Sequence, residues 1–447
     1  MNGTVEMQAE KIIPKGYKLT EAGVIPQDWD VRKIGDIAEV IRGASPRPKG
    51  DKRFYGGNIP RLMVEDVTRD GKYVTPSVDS LTEAGAKLSR PCDKGTLTLV
   101  CSGTVGIPSI LAVNACIHDG FLGLTKVKKS VSIDYLYHFF TTQQEKFNNS
   151  ATHGGVFTNL TTDGVKEFLL ALPRNKNEQI AIANFLSDTD TFITELEQII
   201  IKKQSIKTAT MQQLLTGRTR LTQFAQYPNG TTKNYKSSEL GLIPEDWEVA
   251  RLAQVAKVID PHPSHRAPPE ESYGVPFVGI GDLNESGELI NSEVRRVNQS
   301  ILQEHSERYT LHNQPIGLGR VASIGKVIRL RLGKEPYAIS PTLGVIDGFA
   351  CTNDFLFYYL KSESVTEQFS RVMSGSTRSS VGMNVLKEIL VVKISNEEQI
   401  SIAAILSDMD AELKALEQKL AKFRAIKQGM MQQLLTGRIR LPLEQQP

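Results

Sequence analysis

The residues that could do chemistry in this chain are cations, hydroxyls and histidines gathered in loops. The loop at 43–57, GASPRPKGDKRFYGG, sets Arg47, Lys49, Lys52 and Arg53 beside Phe54 and Tyr55. Its glycines and prolines argue against a helix or a strand. Such cations can reach phosphates, and an arginine can pair with guanine. A matching loop at 260–274, DPHPSHRAPPEESYG, offers His262, His265 and Arg266. Gly-containing turns add Ser102 and Thr104, and Arg320, Ser323 and Lys326. Later turns add His153, Thr158 and Asn159, and Ser376, Thr377 and Arg378. Taken singly, each of these could equally be a solvated loop side chain.

Motifs for bond-breaking chemistry are missing. There is no GxxxxGK[ST] phosphate loop and no GxGxxG fingerprint opening a βαβ unit. No Asn-Pro-Pro-Tyr or Asp-Pro-Pro-Tyr occurs, and Asp260-Pro261-His262 is a different tripeptide. The seven histidines do not cluster with cysteines or carboxylates at metal spacing. No catalytic residue and no metal site is therefore expected.

Bulk properties agree with a soluble two-domain chain. Its 447 residues call for two or more domains. With 40% hydrophobic and 23% charged residues the composition is that of an ordinary globular protein. A net charge of +3 permits nucleic-acid binding without indicating it. Four cysteines, Cys92, Cys101, Cys116 and Cys351, show no CxxC pairing, which points to a reducing cytoplasm. No apolar run approaches membrane-helix length, and the first residues lack the apolar region of a signal peptide. The expected location is cytoplasmic.

The elements that must position these loops occur twice. Residues 178–221 and 398–441 align at an offset of 220 without a gap, and 25 of the 44 positions are identical. Such a copy within one chain is a repeat signal. A second pair matches at an offset of 218: YKLTEAGVIPQDWDV from Tyr17 and YKSSELGLIPEDWEV from Tyr235. The only tryptophans, Trp29 and Trp247, sit at equivalent places in IPxDW and read as core anchors opening each domain. A strand is expected over 37–41, and apolar strands over 59–67 and 275–283. The expected division is an arm at 1–16, domains at 17–174 and 237–394, long helices at 175–217 and 395–437, a linker at 218–236 and a tail at 438–447.

Each long helix carries its own start and stop signals. Ser395 to Glu398 reads as a capping box, and Asn175 to Glu178 as its counterpart with an Asn cap. Gly217 and Gly437 fall where a left-handed C-terminal residue is wanted. About 40 residues at 1.5 Å each make about 60 Å. A heptad seam runs through Leu406, Met409, Leu413, Leu416, Leu420, Phe423, Lys427, Met430 and Leu434. The first copy gives Leu186, Thr189, Ile193, Leu196, Ile200, Lys203, Lys207, Thr210 and Leu214, and is more polar. The helices either lie on their own domain cores or pair with each other, and pairing is favoured because neither domain can cover 60 Å. Only residues 222–234 lie outside the repeat, with a reach of about 45 Å. That is too short for a parallel return, so an antiparallel pair is expected, with the domains at opposite ends and an approximate twofold relation. The fold class is thus α+β: two mixed α/β domains in tandem, joined by a coiled-coil spacer.

The tandem plan, IPxDW, the helix starts NEQIAIANFLSDTD and EEQISIAAILSDMD, and the ends MQQLLTGRTRL and MQQLLTGRIRL resemble the specificity subunit of type I restriction-modification systems. The resemblance covers nearly the whole chain. It implies two target-recognition domains, each reading one half of a split double-stranded DNA sequence. It also implies helices that space the readers and carry two modification (methyltransferase) subunits, to which ATP-dependent restriction subunits add. S-adenosylmethionine, ATP and Mg are then expected on those partners, with no cofactor on this chain. The repeated Met-Gln-Gln-Leu-Leu ends could close the helix pair or dock such partners. The alternative class is a coiled-coil scaffold whose end domains bind proteins. A self-sufficient nuclease or methyltransferase would need a catalytic constellation that the residues do not supply.

Overall fold

The computed structural model describes residues 13–150, 160–264, 266–291, 293–333, 335–374 and 380–442. The chain forms two compact units. One comprises Met1–Glu197 with Lys419–Pro447, the other Gln198–Gln418. Both boundaries fall inside the long helices, which span Lys176–Leu215 and Asn396–Leu434. Each unit therefore holds the head of one helix and the tail of the other.

In the first unit a hairpin pairs Tyr17–Thr20 with Gly23–Pro26. Trp29–Lys33 then pairs antiparallel with Leu169–Pro173, the strand that leads into the first long helix. A five-stranded sheet follows the order Glu39–Arg42, Phe121–Thr125, Leu97–Val100, Pro108–Leu111, Tyr73–Val74. A four-stranded sheet follows Asp79–Leu81, Tyr55–Leu62, Ala115–Ile117, Arg90–Cys92. Leu97–Val100 is buried along its whole length, as a central strand covered on both faces must be. The main core joins Trp29, Leu97, Leu99, Tyr135 and Phe140 to Leu186 and to Met431, Leu434 and Leu435.

The second unit repeats the plan. Tyr235–Ser238 pairs with Gly241–Pro244, and Glu248–Arg251 with Leu390–Lys393. Its larger sheet orders Ala256–Ile259, Leu343–Gly348, Ile316–Gly319, Val327–Arg329, matching the first four strands of its counterpart. A three-stranded sheet holds Arg296–Val297, Val275–Val278 and Ala338–Ile339. The core joins Trp247, Ile316, Phe355 and Tyr359 to Leu406, Leu214 and Leu215.

Three strand expectations need correction. The run 275–283 is a strand only over Val275–Val278, and a turn follows. Ile37 closes a short helix, Ile34–Ile37, and the strand begins only at Glu39. The apolar run 59–67 is a strand only to Leu62, and a helix runs from Val64 to Asp70. The Asp66 carboxylate accepts from the Met63 N–H at 3.0 Å, an N-terminal cap that the apolar pattern does not signal.

The three repeated motifs meet in one lock in each unit. In the second unit Arg220 donates through Nε and Nη2 to both Glu398 oxygens, at 3.0 and 2.7 Å, and through Nη1 to Asp246 at 2.9 Å. The end of one helix thus binds the IPxDW motif and the start of the other helix. Tyr235 donates to the Gly217 carbonyl at 2.8 Å, and Trp247 Nε1 to Glu398 at 3.2 Å. In the first unit Arg440 holds Glu178 through two contacts of 2.7 Å and Asp28 through contacts of 3.0 and 2.8 Å. There Tyr17 donates to the Gly437 carbonyl at 3.0 Å. Gly217 and Gly437 adopt φ of +70° and +69°, and a Cβ would stand 2.5 Å from Pro244 or Pro26. Glycine is required there both for conformation and for close approach.

The lock alters one expectation. Ser395 Oγ accepts from the Glu398 N–H at 3.3 Å, so the cap forms. The Glu398 side chain, however, turns to Arg220, and Glu178 likewise to Arg440. The reciprocal half of a capping box is replaced by an ion pair.

The heptad positions fall on the covered faces of both helices. All those named above are buried or half-buried. Within the first unit Asp190 pairs with Lys427, Phe192 packs on Phe423 with ring centroids 4.5 Å apart, and Glu197 pairs with Arg424 at 2.5 Å. Within the second unit Lys203 pairs with Glu412 at 2.6 Å, and Lys207 with Asp410. Asp410 also accepts from Tyr358 at 2.8 Å. The polar seam residues Lys203 and Lys207 are thus matched by acids.

Candidate nucleic-acid interface

In the first unit the candidate loops converge on one turn, His118-Asp119-Gly120, between the strands Ala115–Ile117 and Phe121–Thr125. The Gly43 N–H donates to the Phe121 carbonyl at 2.9 Å and the Ala44 N–H to Ile117 at 3.1 Å, fixing the start of loop 43–57. Cys101 donates to the Gly120 carbonyl at 2.8 Å, and Leu160 to the Cys101 carbonyl at 3.0 Å. Loop 43–57, the turn at 102–106 and the end of the following loop are thereby neighbours. Arg47, Lys49 and Lys52 are exposed. Arg53 is exposed too, but its guanidinium is forked on Asp51. That contact raises the Arg53 pKa and lowers that of Asp51. Ser102 is half-buried and Thr104 exposed.

The second unit uses the same scaffold with Ser340-Pro341-Thr342 as the turn. Arg320 donates through its N–H to the Thr342 carbonyl at 2.8 Å, and Val381 to the Arg320 carbonyl at 2.9 Å. Gly103 and Ala322 occupy matching places with φ of +78° and +62°. Alanine in that conformation carries strain of about 1 kcal/mol, which the surrounding turn must hold.

Several side chains expected to face outward do not. Arg320 is buried, donating to the Val381 carbonyl at 3.1 Å and contacting Asp260 at 3.4 Å. Lys326 donates to the Ile280 carbonyl at 3.0 Å. Tyr55 donates to the Pro46 carbonyl at 2.7 Å, and its ring lies 5.4 Å from the Arg61 guanidinium. His262 is buried against His305, whose Nε2 lies 3.1 Å from His262 Nδ1. The Arg266 carbonyl can only accept, so His262 Nε2 donates to it at 2.9 Å and His262 Nδ1 accepts from His305 Nε2. Ile339 N–H lies 3.3 Å from both His305 Nδ1 and the Tyr309 hydroxyl. These four position the loops from beneath, while Arg266 is exposed and Ser323 half-buried. His153, Thr158, Asn159, His265, Ser376, Thr377 and Arg378 lie outside the described residues.

The sequence reading missed Asp119, Arg42 and Arg90. Arg42 Nε donates to the Asp119 carbonyl at 3.2 Å, and Arg90 Nε to the Arg42 carbonyl at 3.3 Å. The signal was present: Asp-Gly between two apolar runs marks a turn. Among the described residues no group of three metal-ligating residues forms and no helix is long and apolar enough to cross a membrane.

The buried histidine gives a pH expectation. Burial first, and then the neighbouring His262, push the His305 pKa down to about 4 from its ordinary 6.5. The folded state thus prefers neutral His305, while the unfolded chain takes up the proton. Stability contributed by this group is complete above pH 6.5 and is lost as pH falls toward 4. The loss approaches about 3 kcal/mol. Hydrogen exchange around Ile339 between pH 7 and 4 should show it, and His305→Asn should flatten the dependence.

Comparison with known proteins agrees with this layout. The type I restriction modification DNA specificity domain matches twice, at residues 26–207 and 244–422. The chain is 26% identical over 371 residues to the type I restriction enzyme MjaIX specificity subunit of Methanocaldococcus jannaschii, covering 81% of this chain and 82% of that protein. It is 25% identical over 431 residues to the MjaVIII specificity subunit of the same organism, covering 93% and 94%. Its fold is similar to the crystal structure of the type I restriction-modification S subunit from M. genitalium, with a TM-score of 0.54 at 14% identity, covering 93% and 97%. It is also similar to the HsdS subunit of Thermoanaerobacter tengcongensis, with a TM-score of 0.50 at 16% identity, covering 93% and 98%. With two copies of the domain spanning most of its length, the chain belongs to the type I restriction-modification DNA specificity family.

Proposed function

We propose that the two units read two unlike blocks of one DNA duplex, with the long helices fixing their separation. The chain is a specificity subunit and is not itself the enzyme. The observation that carries the bipartite reading is the contrast between framework and loops. Both units keep the same lock, the same order of four strands in the larger sheet and a turn at the matching place, whereas loop 43–57 carries Arg47, Lys49 and Lys52 and loop 260–274 carries Arg266 with Glu270 and Glu271. A shared scaffold with dissimilar tips suits an asymmetric target. Half-site centres about 34–36 Å apart, or about 10 base pairs, would let both units read one face of the duplex.

Antiparallel pairing of the helices as a coiled-coil spacer is supported by contact order within each unit. Partner numbers fall as residue numbers rise: Asp190 with Lys427 then Glu197 with Arg424, and Lys203 with Glu412 then Lys207 with Asp410. Docking of two modification subunits, with restriction subunits added, is supported by outward isoleucines repeated at the 220-residue offset. Ile180 and Ile400 are 39% and 54% exposed, and Ile206 and Ile426 are 45% and 41% exposed. A scaffold that binds only proteins would not bind duplex DNA in a salt-dependent way. Duplex binding that weakens steeply with salt is therefore expected, since phosphate contacts release counterions. Arg47→Ala should cost about 1–3 kcal/mol in binding and relax one target position if the guanidinium reads a base. An unchanged base preference would leave Arg47 a phosphate contact.

A further inference from the structure

We propose that Asp119 is a base-reading residue of the first unit, accepting a hydrogen bond from the exocyclic amino group of a cytosine. This rests on loop 43–57 facing the DNA. Asp119 stands at the tip of the turn on which the candidate loops converge, with its side chain 51% exposed. Arg42, Arg47 and Arg90 are exposed around it. A carboxylate in that position is repelled by phosphates, so it weakens non-specific binding. Yet the fold builds it in place. Ser45 donates its hydroxyl to Asp119 Oδ1, and the buried Arg61 donates to Ser45 Oγ at 2.7 Å. Arg61 is itself held by Asp79. Gly120 N–H donates to His118 Nδ1 at 2.8 Å and closes the turn. A chain of hydrogen bonds thus runs from a buried cation to a surface carboxylate, as in a supported recognition group.

The chemistry of Asp119 Oδ2, which makes an ion pair with Arg47 but no hydrogen bond among the described residues, selects the ligand. Oδ2 lies 3.8 Å from the Arg47 guanidinium, beyond hydrogen-bond length. The Ser45 hydrogen bond, opposed by partial burial, lowers the Asp119 pKa, so the group stays ionised and can only accept. In the major groove an acceptor-only group suits cytosine N4. Adenine offers its N6 amino group beside N7, an acceptor that repels a carboxylate, and guanine offers acceptors alone. The matching place in the second unit is Pro341, so this reading is confined to one block.

The test is selection of random duplexes by the full chain, comparing wild type with Asp119→Asn, Asp119→Ala and Arg47→Ala. Asp119→Asn should move one position of one block from cytosine toward adenine, which Asn can pair in two contacts, by about 10-fold. Asp119→Ala should lose discrimination there without weakening overall binding, and the other block should not change. Wild-type preferences in both Asp119 variants would overturn the proposal. If Arg47→Ala still relaxes a position, the loop reads DNA without Asp119. If Arg47→Ala also changes neither affinity nor preference, the reading of the loop falls with it.

Discussion

Arg220→Ala is expected to destabilise the second unit by about 3–5 kcal/mol, the range for removing one partner of a buried pair. Burial works against the Arg220 charge, but Glu398 and Asp246 more than offset it, so its pKa is raised. Only 5% of the Arg220 side chain and 3% of Glu398 are exposed, so deletion leaves a carboxylate with little access to water. Trp247 Nε1 remains as a single donor to Glu398. Arg440→Ala in the first unit should cost less, because Arg440 is 41% exposed and water can enter in its place. Arg220→Lys should not restore the loss, since one ammonium cannot reproduce the two-point contact. Denaturant unfolding followed by hydrogen exchange in each unit would rank the variants. Equal losses for Arg220 and Arg440 would contradict the burial argument.

Truncation of the seam should cost most at the helix ends, which lie in the unit cores. Leu186 and Leu406 are fully buried in the two unit cores. Changing either to Ala should cost about 2–5 kcal/mol through lost burial and a cavity. Leu420, farther along the seam, is only half-buried. Leu420→Ala should cost under about 2 kcal/mol, since a partly solvated site loses less burial and leaves little void. The two alternatives for the long helices therefore apply to different stretches. Their heads and tails lie on domain cores, where Leu214 and Leu434 are also buried, and their middle turns carry ion pairs such as Lys203 with Glu412. A uniform cost along the seam would contradict this division.

Much of the architecture was legible because it is local or repeated. The duplication, the tryptophan anchors, the helix-ending glycines and the 3–4 seam need only spacing to be seen. The lock was not legible, because Asp28, Glu178 and Arg440 are far apart in sequence and meet only in the fold. Helix Val64–Asp70 was hidden by an apolar run continuous with the strand before it. At the interface, residue type was a poor guide to exposure. Arg320 and His262 look like surface groups, yet both are buried and each donates to a backbone carbonyl. Asp119 was overlooked because an acid is an unusual choice for a surface proposed to meet phosphates.

The most direct test of the two-reader account is to determine the target by selecting and sequencing duplexes bound by the full chain. The account predicts one site of two short, unlike blocks with centres about 10 base pairs apart and an unread spacer. Substitution at Arg47 should alter one block alone. A single continuous site, or a palindrome read identically by both units, would contradict it.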